Sequence, residues 1–314
     1  MLSLREVAEP EPAPGEAIVR VALAPVNPSD LLFLAGEFPG PMRPMPGQVA
    51  GICGAGFVET PAESGPPAGT LVTFSALGSW AEFVAVPASR LIALPRDFAL
   101  DLAAQFANLV TAWDLVERSG VGPGRWLALT AGYSTVSILS LQFAALKGIN
   151  VLPIVRRKRS DIDLVGLGAK ALLATEDGDL ADAVQQATGG QGLDGIIDCV
   201  AGPAAGELVR QCNPLSRMQI YGCLDAGNMG LGGHDILYRF LEIIPYSYPF
   251  SFDPPVTPED FAFIDRVIQE THKLRPFVPV GGIHSISDYR DAIAGRPIAG
   301  GYGKCFLRMI DQAL

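Results

Sequence analysis

Residues 16–24 (EAIVRVALA) alternate between apolar and polar positions, the period of a half-buried β-strand. A proline-rich stretch around PVNPSD follows, and a second lies between Pro39 and Pro46. GQVAGICGAGFVE is glycine-rich and β-branched and predicts strand, turn, strand. GTLVTF and GSWAEFVAVP predict two more strands with turn residues between them. From residue 101 the period changes. Residues 101–120 (DLAAQFANLVTAWDLVERSG) carry apolar positions at helical spacing and stop at glycine, which predicts one helix. Strands and helices then alternate: strand 125–131, helix 134–147, strand 150–155, a short helix near 160–167, strand 169–175, helix 178–187, strand 192–200, helix 203–212 and strand 217–224. Past residue 240 come EIIPYSYPFSF, an amphipathic helix over 257–273, a helix over 285–295 and a closing strand GKCFLRM. Repeated strand-plus-connection units of this length predict a doubly wound parallel sheet. The architecture expected is α/β: a β-rich domain from both chain ends (1–103 plus 266–314) with a nucleotide-type domain (104–265) inserted.

Composition supports many short elements. The 314 residues include 35 Gly and 26 Pro, an excess that helical bundles do not tolerate. Hydrophobic residues make up 49%, enough for two buried cores, and charged residues only 18%. The net charge of −10 argues against sequence-independent nucleic-acid binding. Five scattered cysteines without a C-x-x-C pair, and three histidines, predict no structural metal site and a reducing compartment. The N-terminal residues have charges and prolines where a signal peptide needs an apolar core, so a cytoplasmic location is expected. The uncharged segment 126–146 is long enough to span a membrane. Its serines and threonines, and Gly132, divide it into strand and helix instead.

In a doubly wound sheet the ligand lies where the first strand meets the first helix. That junction is Thr130-Ala131-Gly132-Tyr133-Ser134-Thr135-Val136-Ser137. A helix N-terminus offers N–H groups to an anion, and Ser134, Thr135 and Ser137 add hydroxyls. Gly132 is the one residue with an unrestricted turn. The segment reads as a degraded glycine loop, or as an ordinary turn capped by Ser134. The second strand ends in Val155 and is followed by Arg156-Arg157-Lys158-Arg159. A carboxylate there would accept the ribose hydroxyls of NAD; arginines match the extra phosphate of NADP. The alternative is a solvated basic turn. Val200, after the fourth strand, and Tyr221 and Gly222, after the fifth, lie at strand ends where the nicotinamide half is expected. Cys199 and Cys223 read as small buried hydrophobes rather than nucleophiles.

VNPSDLLFLAGEFPG, GSWAEFVAVP, NLVTAW, GPGRWLALTAG and GKCFL, in that order, resemble medium-chain dehydrogenases and reductases. The nearest likeness is to the zinc-free quinone oxidoreductase and 2-enoyl thioester reductase branch. The resemblance implies a Rossmann-type domain inserted into a GroES-like catalytic domain, NADP(H) as cofactor, no metal, a small-molecule electron acceptor, no membrane or nucleic-acid partner, and a homodimer. Pro46-Gly47-Gln48-Val49 stands where zinc-dependent relatives have Gly-His-Glu. By resemblance, Asn27 lies near the nicotinamide, Asn108 and Thr111 match the enoyl reductase pattern N-x-x-T-A-Y, and Lys304 returns to the cleft. Turn capping is the other reading for both asparagines.

Three departures bear on function. Phe38 replaces a tyrosine that acts as proton donor in enoyl reductases. Ser137 replaces a loop glycine, and a side chain there is expected to crowd helix against strand or to shift the pyrophosphate. The usual first strand is missing or shortened. The activity expected is NADPH-dependent, zinc-independent hydride transfer to a quinone or other activated C=C acceptor. The alternatives are a trans-2-enoyl thioester reductase and a catalytically weak NADPH-binding sensor. The apolar stretch 243–250 is a candidate dimer edge, or a lid.

Overall fold

The structure is a computed structural model that describes residues 2–38, 43–225, 227–250, 253–298 and 301–310. It divides into two compact units. The first comprises Met1–Leu109, Pro249–Arg275 and Pro279–Leu314; the second comprises Val110–Tyr248 and Pro276–Val278. The chain crosses between units at 109/110 and 248/249, and again at 275/276 and 278/279, against 103/104 and 265/266 from the sequence. The difference at the second crossing is helix α8 (Pro258–Leu274), grouped with the first unit. Its amphipathic period reveals that one face is buried, not against which core.

The first unit is built on β1 (Glu16–Pro25), β2 (Cys53–Thr60), β3 (Leu71–Ser75), β4 (Phe83–Pro87) and β5 (Leu91–Ala93), with β12 (Val280–Ser285) and β13 (Lys304–Arg308) from the far end of the chain. Its sheet runs β12-β13-β1-β2-β3-β5, with β4 also paired to β1. Antiparallel β13 fits Phe306 opposite Pro25, so both chain ends do build one sheet. Ala17, Val19, Val21, Val72, Phe74, Val86 and Leu307 form its core. Two local forms differ from expectation. GQVAGICGAGFVE yields one strand rather than two, and the N-P-S-D segment opens helix α1 (Pro28–Ala35). Pro28 at the first helical position suits the helix, because its missing N–H would be unpaired there anyway.

The predicted helix over 101–120 is two, α2 (Leu100–Ala104) and α3 (Phe106–Ser119), broken at Gln105. The second unit then winds β6 (Trp126–Leu129), α4 (Thr135–Leu146), β7 (Asn150–Val155), β8 (Leu173–Ala174), α5 (Leu180–Thr188), β9 (Leu193–Asp198), α6 (Pro203–Arg210), β10 (Cys212–Ile220), α7 (Gly233–Leu237) and β11 (Glu242–Pro245). Its six strands are parallel, in the order β11-β10-β9-β6-β7-β8. The chain steps outward from β6 to β8, then returns beside β6 at β9. The switch point therefore lies between β6 and β9. Residues 160–167 form turns, not a helix. The apolar stretch after residue 240 supplies a sixth strand at the sheet edge. Residues 251 and 252 of that stretch, and part of the second proline-rich segment, lie outside the described residues. Among the described residues no helix is long and apolar enough to cross a membrane, and no group of three or more His, Cys, Asp or Glu could hold a metal ion.

Candidate functional site

In the first unit the polar residues singled out by sequence gather around the start of α1. The Asn27 side chain does not cap its own helix. Its Oδ1 accepts a hydrogen bond from Lys304 Nζ at 2.8 Å, and its Nδ2 donates to Cys53 Sγ at 3.5 Å. The cap is made by Asp30, which sequence reading passed over. Its Oδ2 accepts the Asn27 backbone N–H at 2.8 Å, and its Oδ1 accepts that of Ile52 at 3.0 Å. One carboxylate thus fixes both the helix start and the chain entering β2. Its signal in the sequence is an acid three residues after the Asn that precedes the helix, ahead of an apolar run. Asp30 is 2% exposed. Burial raises its pKa from 3.8 to about 6, against backbone hydrogen bonds and the charge of Lys304, which lower it. Burial pushes Lys304 the other way, down from 10.5, with Asp30 opposing. Burial also lifts the Cys53 thiol to about 12, so it stays protonated and unreactive. Phe38 packs edge-on against Phe33 with ring centroids 6.5 Å apart. Asn108 is half-buried, its N–H bonded to the Gln105 carbonyl at 2.8 Å.

In the second unit the loop after β6 has a conformation the sequence does not announce. The left-handed residue is Ala131, at φ 45°, not Gly132. Gly132 is needed for closeness instead: a Cβ there would lie 2.8 Å from Pro153 and 3.1 Å from Val155. Ser134 caps α4 by accepting the Ser137 N–H at 3.3 Å. By position, the N–H groups of Thr135 and Val136 have no carbonyl partner within the helix. Ser137 does not crowd the strand. It is fully buried, and its hydroxyl donates to the Thr130 carbonyl at 2.8 Å. The Tyr221 hydroxyl, from the end of β10, lies 3.5 Å from Ser134 Oγ and 3.3 Å from Ser137 Oγ. Burial holds this phenol well above its ordinary pKa. Where a glycine loop has bare backbone, this chain has a network of three hydroxyls.

Two more loops meet this one. Asp198, at the end of β9, is fully buried and accepts from Thr130 Oγ1 and from the N–H groups of Val200 (3.2 Å) and Ala201 (2.9 Å). It locks the β9 loop to the end of β6. The clue in the sequence is a lone acid ending an apolar strand. Gly222 lets the β10 loop pass Cys199, whose carbonyl would lie 2.9 Å from an added Cβ. Burial raises the Cys199 thiol to about 11, whereas Cys223, on the β10 loop, is exposed rather than buried as expected.

The basic run follows β7 as the spacing implies. Arg156 and Arg157 expose 89% and 79% of their side chains. Their acidic partners come from the end of β8, which sequence reading did not connect with them. Arg157 Nε donates to Glu176 at 2.8 Å, and Lys158 pairs with Asp177 at 2.7 Å. Arg156 keeps only a 3.9 Å approach to Glu176. Tyr133 does not face the loop's open side. Its hydroxyl accepts the Arg159 N–H at 2.8 Å and ties the basic turn to the glycine position. Thr111 is half-buried on α3.

These residues fit a dinucleotide. Two N–H groups without an intrahelical partner open α4, the close approaches at Gly132 and Gly222 join the ends of β6 and β7 and of β9 and β10, and Arg156 stands exposed at the end of β7. The Alcohol dehydrogenase GroES-like domain matches residues 13–96. The chain is 28% identical over 215 residues to the mitochondrial enoyl-[acyl-carrier-protein] reductase of Rattus norvegicus, covering 65% of this chain and 57% of that protein. It is 26% identical over 207 residues to a phenolphthiocerol/phthiocerol polyketide synthase protein of Mycobacterium tuberculosis, covering 65% of this chain and 9% of that one. The chain thus spans little more than half of the first relative and under a tenth of the second. In fold it resembles the Escherichia coli quinone oxidoreductase complexed with NADPH, with a TM-score of 0.84, 18% identity and coverage of 97% of this chain and 94% of that chain. The quinone oxidoreductase of Thermus thermophilus gives 0.80, 22% identity and coverage of 98% and 95%.

Proposed function

The chain belongs to the medium-chain dehydrogenase/reductase superfamily, in its quinone oxidoreductase and enoyl reductase branch, and on that premise we propose that it is an NADPH-dependent oxidoreductase acting on a quinone or other activated C=C acceptor. The observation that carries the cofactor choice is the exposed Arg156 at the end of β7, with Arg157 and Lys158 beside it. A bound nicotinamide would supply the hydride. The protein supplies the rest: Thr135 and Val136 N–H groups for the pyrophosphate, Arg156 for the ribose phosphate, and Val200, Tyr221 and Gly222 as the floor of the nicotinamide half. In the first unit, Lys304 holds the Asn27 amide. Phe38 has no proton to give. An acceptor whose product oxygens take protons from water suits this chain better than an enoyl thioester, whose α-carbon needs a placed acid.

The thioester reading rests on a separate observation, the likeness to enoyl-[acyl-carrier-protein] reductases over 65% of the chain. One experiment tests both. NADPH oxidation is followed in the near ultraviolet with naphthoquinones, enones and crotonyl thioesters. Turnover of quinones with inert thioesters is the expected result. Inertness toward quinones and enones alike sinks the proposal, and thioester turnover alone favours the second reading. Likeness to dimeric relatives leads us to propose a homodimer as well, through the β11 edge; analytical ultracentrifugation giving a monomer would refute it.

A further inference from the structure

Five described residues other than glycine have a left-handed φ, and two of them flank the switch point of the parallel sheet: Ala131 at 45°, after β6, and Ala201 at 56°, after β9. Alanine meets a steric cost in this conformation that glycine does not. In both loops a glycine stands one position later, where it serves a close approach instead. A Cβ on Gly132 would lie 2.8 Å from Pro153, and one on Gly202 would lie 2.8 Å from Asp225. Each glycine is committed to spacing, and the strain is left on the alanine. Strain of this kind persists only where the surroundings hold it.

What holds it is a pair of buried side chains, one from the end of each strand. Asp198 ends β9, and Thr130 directly follows β6. The Thr130 hydroxyl donates to Asp198 Oδ1 and accepts the Cys199 N–H at 3.0 Å. Asp198 Oδ1 accepts the Val200 N–H at 3.2 Å, and its Oδ2 accepts the Ala201 N–H at 2.9 Å. Three successive N–H groups, 199 to 201, are fixed in this way up to the left-handed alanine. Across the switch point, the Thr130 N–H donates to the Ile197 carbonyl at 3.1 Å. The residue before Ala131 is therefore pinned through both its main chain and its side chain. Hydrogen bonds to a carboxylate are the stronger kind. Asp198 is fully buried and Thr130 is 2% exposed, so neither side chain is open to a ligand. The pair can act on one only through the backbone it shapes.

We infer that Asp198 and Thr130 are positioning residues for the dinucleotide: they hold Ala131 and Ala201 left-handed, so that both loops stand in their binding shape before the cofactor arrives. The inference rests on the proposed nicotinamide cofactor, since ligands of this fold lie at the carboxyl ends of the strands beside the switch point. A loop released by the pair divides its time between the strained shape and relaxed ones. Affinity then falls in proportion to the share of time lost.

The test is calorimetric binding of NADP+, without turnover, with urea denaturation of each variant alongside. Thr130→Val keeps the shape of the side chain and loses its hydroxyl. It is expected to weaken NADP+ about tenfold, as when the binding shape is populated about a tenth of the time. Thr130→Ser keeps the hydroxyl and the affinity. Adding Ala131→Gly and Ala201→Gly to Thr130→Val restores most of the loss, because glycine takes a left-handed φ without strain. Asp198→Asn, whose amide nitrogen cannot accept the loop N–H groups, should behave as Thr130→Val does; should either fail to fold, the other decides. A merely structural pair would move the urea midpoint and leave the affinity alone. Unchanged affinity in a folded Thr130→Val or Asp198→Asn, or a loss that the glycines do not recover, overturns the inference while leaving the cofactor reading intact. Failure of the wild type to bind NADP+ or NADPH overturns the cofactor reading, and the inference with it.

Discussion

At the scale of single residues, the chemistry is set by charges that burial makes expensive. Asp30 is the clearest. The folded protein holds its proton more tightly than the unfolded chain does, since burial raises its pKa from 3.8 to about 6. Folding therefore takes up a proton between those values, so stability falls as pH rises through that window and is level above it. The penalty is up to about 3 kcal/mol. Lys304 has the opposite sign. Its lowered pKa means that the unfolded chain holds its proton more tightly, so its contribution rises with pH up to 10.5. Lys304→Met removes the cation that eases the ionisation of Asp30, and it also removes the donor to Asn27. We expect a loss of about 1–3 kcal/mol at pH 8, shrinking at pH 5, where Asp30 can take a proton. Urea denaturation at the two pH values measures this, and an equal loss at both would show that the charges are uncoupled. The sequence revealed Asn27 and Lys304 through flanking motifs. It could not reveal that Asp30 lies beneath both, because that depends on where β2 enters the sheet.

At the scale of elements, the same limit appears in the loop between β6 and α4. Its position was legible, since strand, turn and helix periods surround it. Its conformation was not: the left-handed turn falls on Ala131, while Gly132 is constrained by β7 packing against it. Neither fact is local to the loop's own residues. Ser137 shows the same thing from the other side. A residue that reads as a clash in a glycine loop becomes a tie between α4 and the Thr130 carbonyl. Ser134→Ala removes the cap on α4 and one arm of the hydroxyl network. It should cost about 1 kcal/mol, read as a shift in the urea midpoint at constant slope. Ser137→Gly keeps the cap and loses the tie to Thr130. If the tie is structural, it destabilises by a similar amount; no loss would mean that the serine is merely tolerated. The β11 edge was legible as apolar but not as a strand, because four residues are too few to show a period.

At the scale of the whole molecule, the proposed cofactor would set a polyanion on a chain with a net charge of −10. The potential of the whole protein opposes a phosphorylated dinucleotide, so selectivity has to come from within about 8 Å of the phosphate, the reach of a charge at physiological salt. The cations 156–159 were visible as an exception to the acidic total. The acids that pair with Arg156, Arg157 and Lys158, namely Glu176 and Asp177, come from a strand end that only folding brings near. Their presence changes the expected energetics, because Arg157 must exchange Glu176 for phosphate. Glu176→Gln should therefore strengthen NADPH several-fold and leave NADH unchanged. Thermal unfolding reads both effects through linkage. At a hundred times its dissociation constant a ligand adds about 2.7 kcal/mol, or about 5–10 °C for a domain of this size. The two units have separate cores, so the transition assigned to the second unit should carry this shift. It should be larger for NADPH than for NADH at equal concentration, larger again in Glu176→Gln, and equal for the two cofactors in Arg156→Ala/Arg157→Ala. Equal shifts already in the wild type would show that the basic run is a solvated turn, and that the acidic field of the protein is not locally overcome there.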